Sequence, residues 1–219
     1  MEIKRFFGAV QSELNSALSD GWLEVTDFDD QVASYHSKLH ARVIGLLAQV
    51  LQDVFDLRVE HERRLNGAQH DLIAYSKKGE CKALIEYESP NSYLPVSGVH
   101  VGKDIENYFR FHQKLDKMPV GASPEVMPKR WIVITSLPTG PVTKRSRWKY
   151  LPELGDQREQ DAFLREPLAY MYRRYREFFD KSKTAFFPAG FTPRMPLLVG
   201  NIRRAEKSKR LLATWERSL

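Results

Sequence analysis

The stretch Gln69–Ser89, QHDLIAYSKKGECKALIEYES, places the strongest constraint on how this chain can fold. Its two apolar runs flank the short segment Ser76–Glu80, which carries two lysines and a glycine. A turn-forming segment between two strand-like runs predicts a β-hairpin. If the hairpin folds symmetrically about this turn, Asp71 lies opposite Glu86.

Three carboxylates should then converge on one patch of sheet. Opposed strand residues have Cβ atoms roughly 4.5–5.5 Å apart and alternate residues share a face, so we expect Asp71, Glu86 and Glu88 to lie close together. Like charges crowded in a half-buried site destabilise one another unless a cation neutralises them. Hard oxygen ligands favour Mg²⁺ or Mn²⁺ over Zn²⁺. Alternatively, Glu86 and Glu88 occupy a solvated strand face with Lys82 as counter-charge.

Length and composition indicate one globular domain. The 219 residues suffice for a single buried core, and 42% apolar with 28% charged residues is ordinary for a folded chain, so disorder is not expected. The net charge of +6 favours a polyanionic partner, although solubility alone accounts for many basic proteins.

Features that the sequence lacks indicate the cellular compartment of the protein. The single cysteine, Cys81, has no second cysteine to pair with and lies in an apolar strand, which fits a reducing compartment. The first residues lack the apolar run of a signal peptide, and no stretch is long enough to span a membrane. We therefore expect a cytoplasmic protein without membrane attachment.

Two helices and a strand are predicted before the hairpin. Apolar residues at helical spacing predict a helix over 2–18 and a longer one over 32–54. His36 and His40 share one face of the second helix, but no third ligand at zinc-site spacing accompanies them, so we do not expect a metal there. The alternating segment Leu57–Leu65 predicts a half-exposed strand. Its Glu60 and Glu62 either add a further acid to the metal site or are solvated.

After the hairpin, the pattern predicts further helices and strands. Lys103 opens a helix, Arg130–Leu137 reads as a buried strand, and Pro167 begins another helix. Thr184–Phe187 reads as a short strand, and Asn201–Arg217 as a basic helix that packs on the domain or contacts a partner.

One basic segment has the composition of a nucleic-acid contact. Within 138–150 the sequence interleaves cations with aromatic rings, so phosphates can meet charges while bases or sugars meet rings. A solvated surface loop is the alternative. The candidate contact residues are Lys144, Arg145, Arg147, Trp148 and Lys149.

The order of elements over 32–137 is helix, three strands, helix, strand, and it resembles the PD-(D/E)XK nuclease superfamily. Asp71 matches the first acid of that family's signature and Glu86 the second. His70 stands where proline is usual, and Glu88 stands where the family usually has a lysine that orients or deprotonates the attacking water. The candidates to supply that cation from a displaced position are Lys82, on the same strand face, and Lys103, at the start of the next helix.

This resemblance implies an α/β fold with a restriction-endonuclease-like core over about 30–137. That core is a helix, a three-stranded antiparallel meander, a helix and a strand, in a mixed sheet flanked by helices. The N-terminal helix 2–18 and a basic helical extension over 157–219 would complete a single domain.

The resemblance also implies a function, Mg²⁺- or Mn²⁺-dependent hydrolysis of phosphodiester bonds in DNA. Asp71 and Glu86 would hold the metal with Glu60 or Glu62, and Glu88 would accept a proton from the attacking water. Many such enzymes are homodimers. The alternatives are an inactive nuclease fold that only binds nucleic acid, and a scaffold that docks an acidic protein.

Overall fold

The computed structural model describes residues 1–24, 28, 36–65, 68–88, 100–119, 127–141, 156–205 and 208–217, without the side chains of 36–37, 100–103 and 217. Five helices and six strands form within these ranges. The helices are α1 (Ile3–Ser19), α2 (His36–Asp53), α3 (His100–Asp116), α4 (Gln157–Arg165) and α5 (Pro167–Phe186). The strands are β1 (Arg58–Leu65), β2 (Ala68–Tyr75), β3 (Cys81–Glu88), β4 (Trp131–Thr135), β5 (Leu197–Arg204) and β6 (Leu211–Arg217).

All six strands form one mixed sheet, in which their spatial order follows the chain. The strands β1, β2 and β3 make an antiparallel meander, β4 and β5 continue parallel to β3, and β6 returns antiparallel to β5. With α2 before the meander and α3 between β3 and β4, the predicted order of helix, meander, helix and strand is confirmed, as is the α/β class.

The sheet is buried between two layers of helices. One apolar cluster joins α1 and α2 to one face of the sheet through residues such as Ile85 and Ile132. A second joins α3, α4 and α5 to the opposite face through residues such as Leu84 and Val133. Central strands covered on both faces read as continuous apolar runs, and every residue of β4 is accordingly buried.

The central hairpin forms, and the acids have the predicted pairing, but the register shifts once along the hairpin. Leu72 pairs with Ile85, the arrangement that places Asp71 opposite Glu86, whereas next to the turn Tyr75 pairs with Cys81, so the pairing shifts by one residue between Ala74 and Tyr75. The turn is closed by Ser76, whose N–H donates to the Glu80 carbonyl at 2.8 Å. Gly79 within it has a φ of 81°, a conformation that glycine adopts without steric cost.

The predicted helix at Asn201–Arg217 is wrong, because this segment forms the second half of β5 and all of β6. The predicted helical extension over 157–219 is therefore helical only as far as Phe186. Within β5 the side chains alternate between the two cores: Val199 faces α3 and α5, whereas Leu198 and Ile202 face α1 and α2. A strand buried on both faces has no polar side, so its apolar residues do not show the period of two that would identify it.

The predicted strand at Thr184–Phe187 is also wrong, because α5 continues through Phe186. The ring of Phe186 lies parallel to that of Phe109 on α3, with centroids 6.2 Å apart. Packing between helices therefore decides the conformation of a run too short for its own periodicity to do so.

Two side chains of α1 cover the outer edge of the sheet. Asn15 donates to the Leu211 carbonyl and accepts from the Leu211 N–H, both at 2.9 Å, and Gln11 accepts from the Ala213 N–H at 3.3 Å. These bonds occupy backbone groups that an edge strand otherwise leaves unpaired.

No helix in the described part of the chain is both long and apolar enough to cross a membrane.

Candidate active site

Asp71 and Glu86 meet where β2 and β3 stop pairing. The last regular pair is Leu72 with Ile85, and beyond it the Asp71 carboxylate takes the place of the next ladder bond. Its Oδ2 accepts from the Tyr87 N–H at 2.8 Å, and its own N–H donates to Glu86 Oε2 at 3.2 Å. The two predicted acids are thus fixed to one another through the backbone.

The Glu86 carboxylate is held from its other side by His70. Nδ1 of His70 lies 2.5 Å from Oε1 of Glu86, and the two residues are only 1% and 5% exposed. Burial lowers the pKa of His70 to about 4, against the opposing effects of the Asp71 charge and a hydrogen bond with the Leu65 backbone. His70 is therefore a buried hydrogen-bond partner of Glu86.

His40 on α2 approaches the first acid. Its Nε2 lies 3.4 Å from Oδ2 of Asp71, and the two side chains are 29% and 24% exposed. Burial by itself lowers the pKa of His40, but the hydrogen bond to Asp71 and the charges of Asp71 and Glu88 outweigh it and raise the pKa above its ordinary value. The site therefore contains a partly exposed histidine that favours its cationic form.

Sequence reasoning gave His40 no role at the acids. It considered this residue only with His36, as half of a zinc pair, and the His36 side chain lies outside the described residues. The sequence signal for His40 is a histidine on the helix that precedes the meander. That signal is weak, because no local sequence feature shows that this helix packs against the strand that carries Asp71.

Glu88 lies in a polar row across the three parallel strands. It pairs in register with Thr135 of β4, which pairs with Asn201 of β5. All three lie on the sheet face that α3 and α5 cover, at the carboxyl end of β3 and β4. Side chains at the carboxyl ends of parallel strands are the usual place for ligand contacts in α/β proteins.

Two further residues that the sequence did not single out face this row. The hydroxyl of Tyr175 on α5 is buried and has no hydrogen-bond partner within the described ranges. Burial, and then the charges of Glu88 and Asp104, raise the pKa of Tyr175 well above its ordinary value. Asp104 is itself 7% exposed. The acidic character of the site therefore extends from Glu88 to α3.

Asn201 fixes the backbone at the end of β4. Its Nδ2 donates to the Leu137 carbonyl at 2.9 Å, and its Oδ1 accepts from the Leu137 N–H at 2.8 Å and from Oγ1 of Thr135 at 2.9 Å. Ser136 lies between Thr135 and Leu137 in the chain, and its hydroxyl is 2.7 Å from the hydroxyl of Tyr87. The chain beside the acids is thus held by side-chain hydrogen bonds.

Glu60 and Glu62, predicted as further acids of the metal site, contact none of Asp71, Glu86 and Glu88 within the described structure. Glu60 instead bonds Arg58 and Arg63 on its own strand. Glu62 is exposed and has a φ of 47°, an uncommon conformation for a residue other than glycine. The spacing on β1 was read correctly as a strand, but arginines on the same strand neutralise Glu60 locally.

Of the two candidates for the displaced cation, the structure describes the side chain of Lys82 alone. Lys82 bonds Glu80 at 2.5 Å, beside the hairpin turn, so it does not serve Glu86 or Glu88. Lys103 belongs to α3, but its side chain lies outside the described residues. The predicted nucleic-acid segment, with Lys144, Arg145, Arg147, Trp148 and Lys149, also lies outside them.

A divalent metal is compatible with the donors that are present. Among the described residues, no three His, Cys, Asp or Glu side chains form a metal-binding group. Mg²⁺, however, is usually bound through one or two carboxylates, with waters and substrate phosphates as its other ligands. Asp71 and Glu86 are two carboxylates in fixed relation, and Asp71 is partly exposed. Carboxylate oxygens of this kind suit Mg²⁺ or Mn²⁺.

Comparison with known proteins does not identify a family. No protein-family model and no curated protein matches the chain. Among solved structures, the chain is similar to Pyrococcus furiosus SfsA, determined in complex with Ca²⁺, at 12% sequence identity and a TM-score of 0.36. The alignment covers 79% of this chain and 62% of that one, so the chain spans less than two thirds of the length of SfsA. We draw no functional inference from a likeness at this TM-score.

Proposed function

We propose that this protein is a metal-dependent nuclease that hydrolyses phosphodiester bonds in DNA, as the resemblance to the PD-(D/E)XK superfamily implies. The observation that carries the proposal is the junction of Asp71 and Glu86. The two acids of the signature are joined where β2 and β3 diverge, and one of them is open to solvent. The confirmed order of elements around them supports the same conclusion.

Asp71 and Glu86 would hold a Mg²⁺ or Mn²⁺ ion, which when bound polarises the phosphodiester and lowers the pKa of a coordinated water. The chain itself fixes the geometry of the two carboxylates. The Tyr87 N–H restrains Asp71, and His70 restrains Glu86. Such restraint of ligating carboxylates by hydrogen bonds is typical of functional metal centres.

His40 would supply the positive charge that the family usually obtains from lysine. Glu88, at the lysine position, is a carboxylate, and its charge contributes to the raised pKa of His40. A protonated His40 donates to Asp71 and places a cation beside the group that receives the anionic substrate. Glu88 would then favour protonation of His40 and would accept a proton from the attacking water.

The test is cleavage of supercoiled plasmid by the purified full chain in Mg²⁺, Mn²⁺ or EDTA. Asp71→Asn and Glu86→Gln keep shape and remove charge, so each should abolish metal-dependent nicking. Their matched controls are the exposed acids Asp180→Asn and Glu177→Gln on α5, which should nick like the wild type. Nicking that persists in both site variants would refute the proposed centre.

A second experiment tests His40. His40→Ala should reduce the rate by about 10- to 100-fold, the usual effect of removing a group that orients a metal ligand. His40→Lys should restore part of the rate, because it returns a cation to the site. The pH dependence of the rate should also lose one ionisation in His40→Lys. A His40→Ala variant with wild-type rate and pH profile would exclude this role.

One observation favours the alternative of an inactive nucleic-acid-binding module. Both oxygens of Glu86 already have hydrogen-bond partners, Nδ1 of His70 for one and the Asp71 N–H for the other, and the side chain is buried. Such a module predicts DNA binding that weakens with salt, persists in EDTA and gives no product in any metal. The plasmid assay, run beside a binding assay, separates the two functions.

A further inference from the structure

The hairpin formed by β5 and β6 extends beyond the sheet edge that carries the candidate site. Glu88, Thr135 and Asn201 lie in register, and the first two are the last residues of β3 and β4. The strand β5 continues past this row to Arg204, which pairs with Leu211 of β6. The hairpin tip, residues 205–210, therefore projects from the same edge of the sheet as the acids.

The hairpin tip is within reach of a DNA molecule bound at the acids. Glu86 pairs with Val133 and Val133 with Val199, so two strand spacings and five residues of β5 separate Glu86 from Arg204. At roughly 4.8 Å per strand and 3.3 Å per residue, this separation is about 19 Å. Each DNA strand advances about 3.4 Å per nucleotide along the helix axis, so about six nucleotides span it.

The hairpin tip is basic. Lys209 and Arg210 are both exposed, as is Arg204 at the end of β5. Within the described residues, neither Lys209 nor Arg210 forms an ion pair with an acid. Residues 206–207, at the turn itself, lie outside the described ranges. The tip therefore presents two cations that an anionic partner can contact.

A groove of about 760 Å³ runs between the hairpin tip and the last turns of α1. Lys209 and Arg210 belong to one wall, and Ser16 and Ser19 of α1 belong to the other. None of the described residues that line the groove is acidic. Lysine, arginine and serine side chains are among the groups that contact phosphates in protein–DNA complexes, so this lining suits a phosphodiester backbone.

The backbone that carries these cations is braced by hydrogen bonds. The Ala205 N–H donates to the Arg210 carbonyl at 2.8 Å, and the Arg210 N–H donates to Oγ of Ser208 at 3.1 Å. The next residue, Leu211, is held against α1 by its two bonds with the Asn15 side chain. Because the backbone is ordered in advance, less conformational freedom is lost when a ligand binds.

We propose that the hairpin tip is a DNA-binding arm, in which Lys209 and Arg210 contact backbone phosphates about six nucleotides from the phosphodiester held at Asp71 and Glu86. This inference rests on the proposed function, because the position of the acids at the same sheet edge identifies DNA as the polyanion. The contacts are made to phosphates, so the arm adds affinity without reading the base sequence.

The test is binding of a fluorescently labelled DNA duplex of about 20 base pairs to the full chain in EDTA, measured by anisotropy over a range of salt concentrations. The double variant Lys209→Gln, Arg210→Gln should weaken binding at low salt by at least about tenfold. The plot of log K against log salt should also become less steep by about 1.8, because each phosphate contact contributes about 0.9 to its slope.

The matched control is the double variant Lys78→Gln, Lys129→Gln, which removes the same charge. Lys78 and Lys129 are exposed and lie at the opposite edge of the sheet, in the turn before β3 and shortly before β4. The control should keep the affinity and the slope of the wild type. The exchange Lys209→Arg, Arg210→Lys keeps both charges and should bind like the wild type, with circular dichroism to confirm the fold of each variant.

Cleavage is measured separately, so the two proposals can fail independently. If the duplex binds through the arm but no metal gives cleavage of plasmid, the nuclease function fails and the DNA-binding arm stands. Absence of duplex binding by the wild type at low salt would overturn the arm. Equal effects of the two glutamine pairs on affinity and slope would also overturn it, because net charge alone would then account for binding.

Discussion

Replacing Asn201 with alanine should destabilise the protein by about 2–6 kcal/mol. The side chain is fully buried and makes three hydrogen bonds, two to Leu137 and one to Thr135. Thr135 keeps a second acceptor, the Gly200 carbonyl at 3.2 Å. The N–H and carbonyl of Leu137 have no other partner within the described structure, and each buried group left unsatisfied costs about 1–3 kcal/mol.

Thr135→Val is the matched control for this prediction. It removes one hydroxyl from the same network but leaves both bonds between Asn201 and Leu137, so it should cost only about 1 kcal/mol. Urea denaturation followed by circular dichroism measures both changes, with unchanged m values as the sign that the unfolding reaction is the same. If Asn201→Ala costs no more than Thr135→Val, the two bonds to Leu137 do not stabilise the fold and the reasoning fails.

Three further predictions concern single sites. Gly200→Ala should lower the free energy of unfolding, measured by calorimetry, by about 1–3 kcal/mol, because an added Cβ would overlap the Phe7 ring on α1. An unchanged free energy would mean that α1 shifts freely. Because the folded protein raises the pKa of His40, protonation of this residue stabilises the fold. The contribution is complete below the unfolded pKa near 6.5 and disappears as the pH rises through the folded pKa. His40→Gln should therefore lose more stability at pH 5.5 than at pH 8.5, and an equal loss at both would contradict the ion pair. Burial raises the pKa of Cys81 to about 12, so a thiol reagent at pH 8 should label it only in denaturant, and rapid labelling of the native protein would contradict its burial.

The sequence was most informative where local chemistry decides the structure. The glycine turn between two apolar runs predicts the hairpin, and symmetry about Lys78 and Gly79 predicts the pairing of Leu72 with Ile85 that the structure shows. The shift of one residue between Ala74 and Tyr75, which separates this pairing from the turn, was not predicted. The same argument placed Asp71 and Glu86 together before their contacts were seen.

Residues brought together by tertiary packing could not be predicted in this way. His40 reaches Asp71 only because α2 packs across the meander. The contacts of Glu60 with Arg58 and Arg63 depend on the side-chain conformations of these residues in the folded strand. The strand β5 is extended because β4 and β6 supply its backbone hydrogen bonds. Its own sequence, seen without those neighbours, was compatible with a helix.

The contacts between α1 and β6 have a consequence for how the chain is made. Strands enter the sheet in the order of synthesis, so each new strand finds its neighbour already in place. The helix α1 is the exception, because Asn15 is 196 residues from its partner Leu211. Contacts so distant in sequence form late and slow the final step of folding. Until β6 emerges from the ribosome, β5 presents an unpaired edge, so a nascent chain stalled just before β6 should be prone to aggregate.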